Sequence, residues 1–186
     1  MRSLLLAGGR SSRMGRDKAL MVVDGSTMIE KIVASLVTAN LEPIRIAVAQ
    51  PEDVEEYGLA IGSDFDIEWV LDSMPHAGPI EAIEETLLDP ECGNGRLQLA
   101  TVDYPWISSD LFLSLQEGLC ADDCLIMPHD GDRSHPLLSL IRTEEVLEII
   151  KGDRRPLRIQ FAEAKHSVLM EDPSTLINVN TPEDLE

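Results

Sequence analysis

Short apolar runs typical of β-strands alternate with segments of helical spacing along most of this sequence. The strand-type runs are rich in leucine or β-branched residues and cover 3–7, 44–49, 66–71, 97–102 and 124–128. Between them, apolar residues recur at steps of three and four over 27–39, 79–88 and 108–119, which predicts amphipathic helices. Strands that alternate with helices form βαβ units, so the pattern predicts an α/β fold with a mainly parallel sheet buried on both faces.

The same alternation continues more loosely after residue 128. A strand is predicted in 135–141, helices in 143–151 and 156–164, and a short strand in 166–170. We expect these segments to extend the same sheet. A chain of 186 residues is long enough for one sizeable core, so we predict a single domain over 1–186.

The composition argues against several classes of function. With 34 acidic and 15 basic residues, the formal net charge is −19, whereas nucleic-acid binding needs a basic surface. The apolar runs are far shorter than the roughly 18 to 20 residues that span a bilayer, so we expect neither a membrane anchor nor a secretory signal. Cys92, Cys120 and Cys124 contain no C-x-x-C pair, which favours reduced structural thiols in a cytoplasmic protein.

The stretch LLLAGGRSSRMGRDKAL, residues 4–20, is a local exception to the acidic composition. Directly after the first predicted strand it carries three glycines and four cations, namely Gly8, Gly9, Gly15, Arg10, Arg13, Arg16 and Lys18. Glycines let the backbone approach an anion closely, and the amides of a following helix favour negative charge. Arg13 can contact phosphate oxygens bidentately, and Lys18 can act as a mobile point charge. The pattern favours a phosphate site over a glycine-rich surface loop that merely contains arginines.

The spacing of these residues excludes two common phosphate loops. A Walker A loop has four residues between its glycines and then Lys with Ser or Thr, whereas five residues separate Gly9 from Gly15 and Arg16 follows. The dinucleotide fingerprint G-x-G-x-x-G does not occur in residues 1–20. A third kind of phosphate loop is therefore needed.

Residues 6–18 resemble the signature L-A-G-G-x-S-x-R-M-G-x-D-K of the molybdenum cofactor guanylyltransferase family, within the wider group of nucleotidyltransferases. Five further segments resemble family motifs in the same order: DSMPHAGPIEAI (72–83), VDYPWIS (102–108), DGDRSHPLLSLI (130–141), GDRRPLR (152–158) and INVNTPEDL (177–185). The resemblance covers essentially the whole chain. It implies a three-layer, mostly parallel Rossmann-like sheet flanked by helices, of the nucleotide-diphospho-sugar transferase type.

The resemblance also implies where the nucleotide binds. Leu6, Ala7 and Gly8 are assigned to the GTP site mainly through their backbone, with Lys18 at the phosphates and Asp72 near the nucleotide.

Asp103 is the candidate metal ligand. It ends an apolar run before Tyr-Pro, so its carboxylate can reach the cleft and bind Mg²⁺, which prefers one or two carboxylates together with phosphate oxygens and water. In the family this aspartate is the metal ligand, and an aspartate that only caps a helix or turn is the alternative. Together with Arg13 and Lys18, it forms the predicted catalytic set.

Gly78, Asn178 and Asn180 are further candidates, and Gly78 and Asn180 each have a structural alternative. Gly78 and Pro79 begin a predicted helix, and the N-terminal amides of this helix would face the cleft. The alternative is an ordinary helix start, because proline is common at the first helical position. Asn178 and Asn180 would project to the same side of an extended segment. The resemblance assigns both to the active site and the pterin end, although Asn180 also suits a helix cap.

Two basic or titratable features remain. Arg154, Arg155 and Arg158 form a second basic cluster, which would either bind the phosphate of molybdopterin, with Arg155 as the candidate, or be solvated. His135 is a substrate-side candidate, although a structural histidine is the favoured interpretation.

Ala82 stands where the family usually has glycine. Its methyl group would crowd a ligand that approaches the backbone closely at this position.

These features predict an enzyme, a Mg²⁺-dependent nucleotidyltransferase that transfers GMP from GTP to molybdopterin and releases pyrophosphate. Two alternatives stay open. One is a related nucleotidyltransferase with a different base or acceptor, such as a cofactor cytidylyltransferase, and the other is a non-catalytic nucleotide or pterin binder that delivers cofactor. We expect GTP, molybdopterin and product-receiving molybdoenzymes as partners, a monomeric state, and neither nucleic acid nor membrane.

Overall fold

Strands and helices alternate through most of the chain, as the sequence predicts. The computed structural model describes residues 2–7, 17–73, 78–181 and 184. The strands are β1 (Arg2–Leu6), β2 (Val22–Val23), β3 (Ser26–Thr27), β4 (Ile44–Val48), β5 (Ile67–Leu71), β6 (Arg96–Thr101), β7 (Leu125–His129), β8 (Leu140–Arg142) and β9 (His166–Met170). The helices are α1 (Met28–Thr38), α2 (Pro51–Ile61), α3 (Pro79–Leu88), α4 (Ser109–Gly118), α5 (Thr143–Ile150) and α6 (Leu157–Glu163).

The main sheet is mostly parallel. Within the described ranges it has seven strands in the order β5-β4-β1-β6-β8-β7-β9. β8 is antiparallel to both β6 and β7, and the other pairs are parallel. Since β8 reverses direction relative to both neighbours, β7 and β9 run the same way as β6. The carboxyl ends of six strands therefore share one edge.

Helices cover both faces of this sheet. Successive residues of a strand point to opposite faces, and β1 shows the consequence. Leu5 packs in one apolar cluster with residues of α1, α2 and α4, whereas Leu4 and Leu6 pack in a second cluster with residues of α3, α5 and α6. This arrangement confirms the predicted three-layer α/β sheet.

Local signals account for where the helices begin. α1 begins with a capping box, in which the Thr27 hydroxyl accepts from the Glu30 amide and the Glu30 carboxylate accepts from the Thr27 amide. α2 and α3 each carry proline in the first turn, where the missing N–H costs no hydrogen bond. In the part of the chain that the structure describes, no helix is long and apolar enough to cross a membrane.

Three elements differ from the sequence predictions. The strand predicted over 135–141 is wrong in its first half: Pro136–Leu138 form a 3₁₀ turn, and strand pairing begins at Leu140. Pro136 lacks the N–H that a ladder requires, which accounts for the late start. The helix α2 and the β2–β3 hairpin were not predicted.

Candidate functional site

The candidate site lies where the sheet changes its direction of growth. From β1 the chain adds β4 and then β5 on one side, and it then returns to place β6 on the other side of β1, with Leu6 opposite Thr101. Ligands of open α/β sheets bind at such a switch point, beyond the carboxyl ends of the strands. Lys18 follows β1 and Asp103 follows β6, so the topology brings the two segments to the same edge.

Lys18 and Asp103 form an ion pair at this edge. The Lys18 Nζ lies 2.6 Å from Asp103 Oδ1, and the side chains are 13% and 30% exposed, respectively. The pair is thus partly shielded from water yet open enough for a ligand to reach the carboxylate. It joins two of the three residues predicted to be catalytic.

The third predicted catalytic residue, Arg13, lies outside the described residues. The same holds for the predicted phosphate-loop glycines, which are Gly8, Gly9 and Gly15. Leu6 and Ala7 are both buried at the end of β1. The Ala7 amide donates to the Ala47 carbonyl at 3.1 Å and the Leu6 carbonyl accepts from the Val102 amide at 3.4 Å, so these two backbone groups hold the sheet together beneath the site.

The segment that presents Lys18 is anchored by a contact that was not predicted. Asp17 accepts a hydrogen bond from the Ala19 amide at 2.9 Å through Oδ1 and from the Tyr57 hydroxyl at 2.6 Å through Oδ2. Tyr57 lies on α2, is 2% exposed, and has a pKa raised by burial and then by Asp17. The proline and acidic first turn of residues 51–53 were the available signal for this helix.

The segment around residues 178–180 runs beside Asp103. The Val179 amide donates to the Asp103 carbonyl at 2.9 Å, and Val179 itself is fully buried. Asn178 is half-buried and its side chain hydrogen-bonds Tyr104. Asn180 is exposed, and its side-chain amide donates to the Asn178 carbonyl at 3.5 Å. Both predicted asparagines therefore flank a residue that is hydrogen-bonded to Asp103.

Asp184 caps the turn after Asn180. Its Oδ2 accepts from the Asn180 amide at 2.6 Å and the Thr181 amide at 2.8 Å. These backbone donors, and the charge of Lys18 in addition, lower the pKa of Asp184. Lys18 therefore lies in the electrostatic field of two carboxylates, those of Asp103 and Asp184.

Asp72 and Gly78 follow β5, which β4 separates from β1 in the sheet. The Asp72 amide donates to the Val48 carbonyl at 3.0 Å, which places Asp72 just beyond β5. Gly78 has φ +119°, a conformation that residues with a Cβ rarely adopt, and it precedes Pro79 of α3. Ala82 is 8% exposed and belongs to the second apolar cluster, so its methyl group packs in the core.

The second arginine cluster is held by carboxylates of its own surroundings. Arg155 pairs with Asp153 at 2.7 Å and with Glu163 at 3.0 Å, and these hydrogen bonds raise its pKa. Arg154 instead bridges Glu81 and Glu84 of α3 at 3.0 and 2.8 Å. Arg155 therefore already has two carboxylate partners, and Arg154 has two others.

His135 is 2% exposed, which fits the favoured structural interpretation. Its Nδ1 lies 3.1 Å from the Tyr104 hydroxyl and its Nε2 lies 2.9 Å from Asp130 Oδ2. Burial lowers the pKa of His135, and the hydrogen bond to Asp130 opposes that shift. The imidazole is therefore neutral at pH 7.

Asp103 also suits a magnesium ion by the chemistry of its donors. Among the described residues, no group of three or more His, Cys, Asp or Glu is arranged to hold a metal. Mg²⁺ does not need such a cage, because it is usually bound by one or two carboxylates together with substrate phosphates and water. A partly exposed carboxylate beside a lysine matches that requirement.

Comparison with known proteins gives consistent results in sequence and in structure. The family model described as MobA-like NTP transferase domain matches residues 3–167. A probable molybdenum cofactor guanylyltransferase of Mycobacterium ulcerans is 30% identical over 190 residues, which cover 98% of this chain and 90% of the relative. The molybdenum cofactor guanylyltransferase of Vibrio vulnificus is 25% identical over 188 residues, with coverage of 98% and 91%.

Solved structures support the fold. Molybdopterin-guanine dinucleotide biosynthesis protein A from Archaeoglobus fulgidus has a TM-score of 0.71 and 20% identity, and the match covers 100% of this chain and 95% of that protein. At this identity the likeness concerns the fold alone. It confirms the predicted type of flanked, mostly parallel sheet.

Proposed function

Because this chain belongs to the MobA-like NTP transferase domain family and is thus a nucleotidyltransferase, we propose that it transfers GMP from GTP to molybdopterin. Pyrophosphate is the second product. The relatives that match over nearly the whole chain are named molybdenum cofactor guanylyltransferases, which supports this base and this acceptor.

The observation that carries the proposal is the Lys18–Asp103 pair at the switch point. A cation and a carboxylate 2.6 Å apart, contributed by the loops after adjacent strands, match the needs of a triphosphate that brings its own magnesium. When GTP binds, we expect Lys18 to move from Asp103 to the phosphate oxygens and Asp103 to accept the metal. Bound Mg²⁺ supplies charge neutralisation at the phosphates.

The proposed chemistry needs no protein nucleophile. An oxygen of the terminal phosphate of molybdopterin attacks the α-phosphorus of GTP in line, the bond to the β-phosphate breaks, and pyrophosphate leaves with the electron pair. Catalysis then depends on position and on neutralisation of the charge that develops on the phosphate oxygens. Lys18 supplies positive charge there, Arg13 is proposed to do the same, and Asn178 and Asn180 are proposed to hold the pterin end.

The remaining predicted ligands keep proposed roles. Leu6, Ala7 and Gly8 are proposed to contact the nucleotide, Gly9 and Gly15 to cradle its phosphates, and Asp72 and Gly78 to border it. Arg155 is proposed to bind the phosphate of molybdopterin, for which it would have to exchange carboxylate partners. The three cysteines are free thiols, in keeping with a proposed cytoplasmic location. A monomer and molybdoenzyme recipients also stay proposals.

Asp103→Asn tests this function. The variant keeps the size of the side chain but removes the charge, so GTP and molybdopterin should be converted at least about 100-fold more slowly, as expected when a charge-assisted ligand worth roughly 3 kcal/mol is lost. Asp66→Asn is the matched control, because Asp66 is exposed and lies before β5 at the opposite edge. Normal dinucleotide formation by Asp103→Asn would refute the role of Asp103.

The choice of base is tested by calorimetric titration with GTP, CTP and ATP in the presence of Mg²⁺. We expect GTP to bind most tightly. Tighter binding of CTP would replace the guanylyl assignment with a cytidylyl one. Binding of GTP and molybdopterin without any turnover would instead point to a delivery protein.

A further inference from the structure

A hydrogen-bonded chain of four side chains links three segments beside Asp103. Asn178 hydrogen-bonds the Tyr104 hydroxyl, which lies 3.1 Å from His135 Nδ1. His135 Nε2 lies 2.9 Å from Asp130 Oδ2. The other oxygen of Asp130 accepts from two backbone amides of its own turn, each at 2.8 Å.

The Asp130 carboxylate and the neutral imidazole together set the direction of the bonds in this hydrogen-bonded chain. Asp130 can only accept, so His135 Nε2 carries a proton and donates. The neutral ring then has a lone pair on Nδ1, which accepts from the Tyr104 hydroxyl. The Tyr104 oxygen in turn accepts from the Asn178 amide nitrogen. This leaves Asn178 Oδ1 buried, without a hydrogen-bond partner in the described part of the structure.

Two members of this hydrogen-bonded chain, Tyr104 and Asn178, lie next to Asp103. Tyr104 is the following residue, and Asn178 precedes Val179, whose amide donates to the Asp103 carbonyl at 2.9 Å. Two hydrogen bonds therefore join residues 103–104 to residues 178–179, one through the backbone and one through the Tyr104 hydroxyl. The ring of His135 also packs edge-on against Tyr104, with the centroids 5.4 Å apart.

A buried chain of hydrogen-bonded side chains holds the neighbouring residues in a fixed position. A protein ligand for a phosphate or metal must be held to within roughly 0.5 Å, and hydrogen bonds behind it provide that accuracy. Tyr104 and His135 are both nearly inaccessible, at 7% and 2% exposure, so neither is available to touch a substrate from solution. Their effect on the reaction must pass through Asp103 and Asn178.

We propose that Tyr104 and His135 are positioning residues, which hold the Asp103 carboxylate at the magnesium and phosphate site by fastening residues 103–104 to residues 178–179. This rests on the proposed function, in which Asp103 holds the metal. Asp130 acts at the far end of the chain, where it fixes the tautomer of His135.

Tyr104→Phe is the first test, because it removes one hydroxyl and leaves the buried ring. The kcat for GMP transfer should fall about 10- to 100-fold, the range typical of losing a hydrogen bond in the shell behind a metal ligand. The KM for GTP should change less than the kcat. A readout besides activity is the affinity for Mn²⁺ in the presence of GTP, which should weaken by a similar factor.

His135→Asn and His135→Leu form a matched pair of similar size. The Asn oxygen can still accept from Tyr104, so kcat should recover largely in this variant, whereas Leu leaves the hydroxyl without an acceptor. In Tyr104→Phe, a further His135→Leu change should lower kcat little, since the two residues act through one path. His166→Leu is the control, because His166 lies at the opposite edge, at the start of β9.

The outcomes separate this proposal from the proposed function. Unchanged kcat and unchanged Mn²⁺ affinity in Tyr104→Phe, or equal losses in His135→Asn and His135→Leu, would overturn the positioning role. A wild-type protein that binds GTP and Mn²⁺ but makes no guanine dinucleotide would overturn the proposed function alone. In that case the Mn²⁺ affinities of the variants still decide the positioning role.

Discussion

Tyr57→Phe is the sharpest test of how the structure presents Lys18. The substitution keeps the buried ring in the core and removes one hydroxyl, which donates to Asp17 Oδ2 at 2.6 Å. Asp17 also accepts a hydrogen bond from the Ala19 amide, so these two bonds fix the residues on both sides of Lys18. Loss of one of them should loosen the segment without disturbing the sheet.

The expected magnitude follows from the nature of this bond. A hydrogen bond to a charged acceptor contributes about 1.5–3 kcal/mol, and the lower end applies because Asp17 is half-buried and water can replace the lost donor. For a domain of this size, about 1.5 kcal/mol corresponds to a decrease of roughly 3–6 °C in Tm. If half or more of that free energy serves to hold Lys18, the KM for GTP should rise by about three- to thirteenfold.

Thermal unfolding and steady-state kinetics at pH 7 measure both quantities. Asp17→Asn keeps the size of the acceptor but removes its charge, and it should reproduce part of each effect. The double variant should be less impaired than the sum of the two single changes, since both remove one interaction. An unchanged Tm together with an unchanged KM in Tyr57→Phe would show that this contact does not hold Lys18.

Three further predictions concern the charge, the backbone and the pH dependence. Lys18→Met keeps the apolar stem but removes the charge, so GTP binding measured by calorimetry should weaken about 10- to 100-fold. The control is Lys31→Met on the surface of α1, and this variant should bind GTP with normal affinity. Gly78→Ala places a residue with a Cβ at φ +119° and should lower the free energy of unfolding by about 1–3 kcal/mol. Gly58→Ala within α2 should instead raise it by about 0.5–1 kcal/mol, and urea titrations measure both changes. Folding lowers the pKa of His135 below its ordinary value of about 6.5. Below pH 6.5 the unfolded chain therefore binds more protons than the folded protein, and the free energy of unfolding should fall as the pH decreases. His135→Asn cannot titrate, and its urea midpoint should decrease less than that of the wild type between pH 6.5 and 5; equal decreases would refute this.

Periodicity predicted most of the sheet and the helices because the buried strands and amphipathic helices have regular apolar spacing. It missed α2, where Tyr57 and Ile61 are the buried residues and charged residues fill the first turn. It also extended the strand at 135–141 too far, because a proline in an apolar segment ends a hydrogen-bond ladder without changing the hydropathy. The single domain over 1–186 stays a prediction.

Local motifs indicated separate candidate residues for the site, but not the contacts between them. Lys18 and Asp103 were both predicted to act at the phosphates, and the structure brings them into contact. The hydrogen bonds of Tyr57 with Asp17, and of His135 with Tyr104, join residues that are far apart in the sequence. Such pairs become visible only when the order of the strands is known.

The pairing of β1 with β6 also has a consequence for how the protein acquires activity. Leu6 lies opposite Thr101, so this parallel pair closes a loop of about 95 residues before Lys18 can meet Asp103, and such non-local closure is slow compared with helix formation. During refolding, the helical signal should therefore return before nucleotide binding does. The time at which the site recovers would mark the moment when the two halves of the sheet join.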